Sequence, residues 1–193
     1  MLKSHCKLLS AVLFTLTTAS AFAAEENAGI IHFTGELVSP SCVIVGDNGP
    51  DSTIPLGTYP TSLFTKGGVG TESTKVPFTI TLKDCPLATD GLPAVQLTFS
   101  GQTTLSSDPT LLDISSITTT GVAATGVGIA VSTATESSTL LTMDNAENQV
   151  SIDLVTNPTD TIKADFLARY ISFSETVTAG AADADMTVSI VYH

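Results

Sequence analysis

The sequence predicts an antiparallel β-sandwich, and three observations carry that prediction. Short runs of apolar–polar alternation recur between clusters of turn-forming residues. The bulk of the chain is Thr, Ser, Ala, Val and Gly, which suits strands and turns better than helices. No window of a dozen residues carries a convincing helical period. Seven or so short strands in about 155 residues are best accommodated by two antiparallel sheets packed face to face. Trp is absent, so the Cys–Trp–Cys core of antibody domains is not available.

The elements follow in order. Lys3, His5 and Lys7 make a basic start, Leu8 to Thr18 is apolar, and Ala21-Phe22-Ala23 is a small-x-small cleavage signal. This is the layout of a secretory signal peptide covering 1–23, with cleavage between Ala23 and Ala24, and it is too short to span a bilayer. The acidic lead Ala24-Glu25-Glu26 precedes a first alternating run through Ile31, Phe33 and Leu37. Val76, Phe78, Ile80 and Leu82 alternate ahead of Cys85, and Val95, Leu97 and Phe99 follow the Asp90-Gly91 turn signal. Val127, Ile129 and Val131 form the next strand, then Val150, Ile152 and Leu154, then Phe166 to Phe173. A last strand, Ala182 to Tyr192, carries Met186, Val188, Ile190 and Tyr192 on one face. Asp47-Asn48-Gly49-Pro50, Lys66 to Gly70, Ser107-Asp108-Pro109 and Asn157-Pro158 supply the breaks. The one stretch expected to hold a short turn of helix is Leu111 to Ile117. With no internal repeat and no low-complexity linker, one domain is expected.

Charge excludes several classes of function. The chain holds 7 Lys and Arg against 19 Asp and Glu, a net charge of -12 that becomes -14 once Lys3 and Lys7 leave with the signal. Nucleic acid and anionic lipid both need clustered cations, which this composition lacks. Cleavage also removes Cys6 and leaves Cys42 and Cys85. In an exported chain two cysteines most simply form one disulfide, and theirs closes a 43-residue loop. In the chain-entropy account such a loop contributes about 4 kcal/mol. A redox pair or metal ligation fits less well, because there is no C-x-x-C spacing and the mature histidines are only His32 and His193.

No catalytic constellation emerges. G-x-S-x-G, H-E-x-x-H and a complete phosphate-binding loop are all missing. Two mature histidines, one of them terminal, make a Ser-His-Asp site a poor reading. Gly126-Val127-Gly128 is better read as a strand with small residues than as a dinucleotide loop. Asp183 and Asp185 share a strand face but run into Met186-Thr187-Val188 where a calcium loop would continue with oxygen ligands. No enzyme, cofactor or metal is expected.

The two ends of the chain carry the specific signal. Gly29 to Cys42 reads G-x-x-x-F-x-G-E-x-V-x-x-x-C, with Gly29, Ile31, Phe33, Gly35 and Leu37 on one face. A glycine among large side chains marks a place where another backbone comes close. At the other end Gly180 is fourteenth from the terminus and Tyr192 is penultimate. Taken with the signal peptide and the second Cys after Asp84, the whole chain resembles the chaperone–usher pilus subunits, and most of all the major shaft subunit of type 1 fimbriae.

The resemblance implies an incomplete immunoglobulin-like β-sandwich lacking its final strand, completed by a donor strand from another chain. It implies a division into signal peptide 1–23, donor extension 24–38 and pilin domain 39–193. Ile31, Phe33, Gly35 and Leu37 would face the neighbour's core. Gly180, Met186, Val188, Ile190 and Tyr192 would belong to the strand that edges the acceptor groove and meets a periplasmic chaperone. An outer-membrane usher, surface localisation in a fimbria, cell adhesion and biofilm formation are further implications, as is a Cys42–Cys85 disulfide pinning the first strand to the next. Pro40 would stiffen the junction between extension and domain. Burying three large apolar donor side chains would contribute roughly 5–8 kcal/mol before ordering costs. The competing reading is a self-contained secreted or periplasmic binding module in which residues 27–38 complete their own sandwich.

Overall fold

The computed structural model describes residues 31–34, 42–45, 51–88, 94–116, 121–157 and 159–192. The chain divides into two compact units, 1–35 and 36–193. The described part of the first is Ile31 to Thr34, which has no regular secondary structure. The strand expected from Ile31 is therefore absent over those four residues, and its remainder lies outside the described ones.

The second unit is built from β1 (Val43–Val45), α1 (Thr61–Gly67), β2 (Val76–Lys83), β3 (Ala94–Ser100), β4 (Val127–Thr133), β5 (Val150–Asp153), β6 (Ile162–Ser172) and β7 (Thr187–Tyr192). These strands form a four-stranded sheet, β1-β2-β6-β4, and a three-stranded sheet, β5-β3-β7. All neighbouring pairs are antiparallel.

Alternation sets which side chains meet between the sheets. Ile80 and Leu82 of β2, Phe166 of β6 and Val95, Leu97 and Phe99 of β3 are all buried in one cluster. Phe78 lies opposite Phe166 in register, with ring centroids 5.4 Å apart, and Phe99 meets Phe166 edge-on at 5.7 Å. Phe166 thus couples the two sheets through an offset stack on one side and an edge contact on the other, both favoured ring geometries. Each fully buried side chain of this kind contributes about 1.5–3 kcal/mol relative to exposure.

β4 is buried on both faces. Val127, Ile129 and Val131 belong to the main core, whereas Ala130 joins Leu111 and Ile171 in a second cluster with Leu140 and Phe173 against it. Beside that cluster Arg169 is almost fully buried, its guanidinium 3.0 Å from the Glu72 carboxylate. It also donates to the Ser132 hydroxyl and the Ser137 carbonyl, both at 3.0 Å. The burial of an arginine is tolerated because its charge is paired with Glu72 and two of its N–H groups donate hydrogen bonds.

Two local expectations are corrected. Leu111 to Ser116 form no helix, and Ile117 lies outside the described residues. Leu112 instead exchanges backbone hydrogen bonds with Ile129, and Ser115 with Asp183. Its apolar residues serve two clusters at once, Leu112 and Ile114 one and Leu111 the other, which an extended segment permits. The helix among the described residues is α1, which buries only Phe64 and ends where the Gly68 N–H donates to the Phe64 carbonyl. Seven residues with one buried side chain generate no readable period. The last strand is also shorter than expected. Ala182 to Met186 precede β7 and, in place of a continuous ladder, make an isolated bridge between Asp183 and Ser115 while Ala182, Ala184 and Met186 pack against the core.

Candidate functional site: an open edge between the sheets

The chemistry of this molecule lies in backbone and apolar surface. β7 pairs with β3 on one side, and among the described residues it has no strand on the other. β1 likewise pairs only with β2. These two edges belong to different sheets yet meet at one end, where the Cys42 N–H donates to the Tyr192 hydroxyl at 3.1 Å. An unpaired strand edge offers a row of N–H and C=O groups to any extended segment that can align with it.

The side chains tell the same story. Val188, Ile190 and Tyr192 stand opposite Phe99, Leu97 and Val95 in register. They pack against the core but are only half-buried, as are Ala182, Ala184 and Met186 before them. The constant-type immunoglobulin sandwich has sheets A-B-E-D and C-F-G. Here β1-β2-β6-β4 reproduces the first, β3-β7 reproduces C-F, and the position beyond β7 is the one a seventh strand would fill.

The disulfide joins Cys42, just before β1, to Cys85, just after β2. It closes the β1–β2 pair at the end where Val43 faces Lys83, and so holds the three-residue strand β1 in place. Gly180 sits outside β7, where the backbone of 122–124 crosses. A Cβ there would collide with the Val122 carbonyl oxygen, the Ala123 carbonyl carbon and the Ala124 nitrogen, so only glycine fits. Its neighbour Ala181 bridges to Ala123. Close by, the Tyr170 hydroxyl donates to the Ala182 carbonyl at 2.9 Å, and burial, with the negative charge of Asp183, pushes the phenol above its ordinary pKa.

Of the residues singled out from sequence, the structure brings together Cys42, Cys85 and Tyr192 at one end of the open edge and sets Met186, Val188 and Ile190 along it. Ile31 and Phe33 are 80% and 93% exposed, while Ala23, Ala24, Gly35 and Leu37 lie outside the described residues. Sequence reading missed β1, whose Ile44 packs against the core from the other edge. A three-residue strand offers too little alternation to detect. Among the described residues no three His, Cys, Asp or Glu side chains converge as metal ligands, and no helix is long and apolar enough to cross a membrane.

Fold and edge together define an immunoglobulin-like sandwich without its final strand. The family model for fimbrial protein matches residues 31–193. The type-1 fimbrial protein subunit of Serratia marcescens is 36% identical over 186 residues, which span 95% of this chain and 96% of that one. The uncharacterized fimbrial-like protein SfmA of Escherichia coli is 37% identical over 184 residues, 95% and 94% of the two chains. In fold, the chain is similar to the P pilus rod subunit PapA, with a TM-score of 0.62 and 21% identity over 80% of this chain and 100% of that one. The chain belongs to the fimbrial protein family and is a structural subunit of a surface fimbria.

Proposed function

We propose that this subunit polymerises by donor-strand complementation, its residues 24–38 entering the open edge between β1 and β7 of the next copy. The observation that carries the reading is the half-burial of Val188, Ile190 and Tyr192 beside fully buried partners on β3. Those side chains are packed on one flank, and among the described residues no strand lies on the other. The donor has the matching character: Ile31 and Phe33 are exposed, and Gly35 and Leu37 continue their face. Main-chain hydrogen bonds to β7 provide affinity, and the alternating side chains fix register. Because the contact is head-to-tail, it does not close and a fibre results.

On this reading residues 1–23 direct export and are removed after Ala23, and 39–193 form the pilin domain. Before assembly a periplasmic chaperone covers the same edge, contacting Met186, Val188, Ile190 and Tyr192, and an outer-membrane usher passes the subunit outward. Gly180 supports that edge by letting the segment leading into β7 cross the 122–124 backbone. The fibre serves cell adhesion and biofilm formation, and the subunit acts as a building block without catalysis.

An unboiled denaturing gel of the mature protein beside a variant lacking residues 24–38 tests the reading. The expected result is a ladder of heat-sensitive oligomers that truncation abolishes. A monomer in the intact lane, with truncation merely unfolding the domain, would instead establish a self-contained binding module.

A further inference from the structure

The sulfur atoms of the chain beyond residues 1–23 occupy three environments. Cys42 and Cys85 are joined to each other, so neither offers a thiol. The other sulfurs are those of Met143 and Met186, since Met1 lies in the signal segment, and Trp is absent from the sequence. A two-electron oxidant therefore meets two thioethers as its readiest targets.

The two methionines share a neighbourhood but differ in burial. The Gly101 N–H donates to the Met143 carbonyl at 3.3 Å. The carbonyl oxygen of Asp185, the residue before Met186, lies 3.1 Å from where a Cβ on Gly101 would stand. Met143 belongs to the core, 3% exposed, and its own N–H donates to the Pro109 carbonyl at 2.8 Å. Met186 packs against the same core cluster but is only half-buried. It shares the parity of Val188, Ile190 and Tyr192, and it stands one residue outside the ladder, which ends with Thr187 opposite Ser100. The unbranched thioether of Met186 therefore lies at the open edge of β7, where a seated donor strand would cover it.

We propose that Met186 is a modification site, oxidised to the sulfoxide by hydrogen peroxide in the free subunit, and that this oxidation blocks capture of the next donor strand. The proposal rests on the strand-exchange reading above and adds a redox control to it. In the step, a sulfur lone pair attacks one peroxide oxygen, the O–O bond breaks and an S–O bond forms. Sulfur loses two electrons and the peroxide gains them. The transferred oxygen passes its proton to the departing hydroxide, which leaves as water. The product is polar where the parent was apolar. A sulfoxide oxygen must be stripped of water as the donor closes over it, which makes seating the strand unfavourable. The core shields Met143, so the change is confined to the acceptor edge, and enzymatic reduction of the sulfoxide reverses it.

The test uses the full-length exported protein, both as assembled fibres and as subunits freed by heating and refolded in dilute solution. Each is treated with hydrogen peroxide, and peptide mass mapping reads the oxygen gained at Met186 and at Met143. In free subunits Met186 is expected to oxidise at least about tenfold faster than Met143, and in fibres both should resist. Once peroxide is removed, oxidised subunits should give about tenfold less of the unboiled-gel ladder. Methionine sulfoxide reductases for both epimers should restore it. Met186→Leu, which keeps the volume, should assemble equally well before and after peroxide. Equal oxidation of the two methionines in free subunits, or equal oxidation of Met186 in fibres and free subunits, would overturn the proposal. The reductase arm needs no variant and decides the matter if Met186→Leu fails to fold: a ladder still lost after Met186 is reduced counts against the control. An untreated wild-type chain without a ladder sinks strand exchange and this control together, whereas a normal ladder that survives full oxidation of Met186 sinks the control alone.

Discussion

β3 and β7 lie side by side in one sheet, and their inward side chains are matched residue for residue, yet their environments differ sharply. Val95, Leu97 and Phe99 of β3 are 0% exposed, whereas Tyr192, Ile190 and Val188 opposite them remain half-buried. The chemistry of the two sets is nearly the same. What differs is neighbours: β3 has β5 on one side and β7 on the other, whereas β7 has a partner on one side among the described residues. β4, at the far edge of the other sheet, shows that this is a choice of architecture. Its outer edge is covered by bridges from Leu112 to Ile129 and from Leu140 to Ser132, and nearly all its side chains are buried. One edge is closed by the domain's own loops, and the other has no partner strand among the described residues.

The largest test of this contrast is a matched pair of truncations. Leu97→Ala removes a fully buried side chain and is expected to cost about 2–5 kcal/mol, read as a fall in urea midpoint. Ile190→Ala, its register partner, should cost about half as much in the full-length subunit alone. When a peptide of residues 24–38 is bound, the Ile190→Ala penalty should rise toward that of Leu97→Ala. Equal penalties with and without peptide would show that β7 is not completed by that segment.

A smaller effect is expected at the closed end of the edge. Tyr192→Phe keeps the ring on the core but removes the acceptor of the Cys42 N–H. One partly exposed hydrogen bond should be worth about 1 kcal/mol. Hydrogen exchange at the Cys42 amide should quicken while the β3 amides hold their protection. Uniform loss of protection in both strands would mean that the two edges are not separately anchored.

The smallest effect is on pH dependence. The Tyr170 phenol has its pKa raised above 10.0 by burial, so the folded state holds the proton more tightly than the unfolded chain. The associated stability is complete below the unfolded pKa and declines as pH rises through the folded value. Because Tyr170 donates to Ala182 on the segment entering β7, alkaline titration should loosen that segment first. Tyr170→Phe should flatten the alkaline limb of the stability curve, and an unchanged limb would assign the loss to other groups.

Much of this was legible in the residues themselves. Five of the strands appear where period-2 alternation had them, because a half-buried pleated strand must alternate to put its apolar residues on one side. The cysteine pair was readable from count and context. Gly180 stood out by position, but its reason, the backbone of 122–124 passing where a Cβ would sit, is a tertiary fact. α1 and β1 were not legible, being too short to show a period. Leu111 to Ser116 misled because its apolar cluster serves two separate cores, which local pattern alone cannot distinguish from a helical face.

The sequence by itself determined the class of fold, the positions of most strands, the disulfide and the lack of any catalytic motif, since these depend on local alternation and composition. Only the tertiary structure decided which strand edges lack a partner among the described residues. Val188 and Leu97 have interchangeable chemistry and the same alternation, so nothing local distinguishes a central strand from an unaccompanied one. That difference lies in how many neighbours the fold supplies, and pairing between distant strands is a property of the assembled sheets.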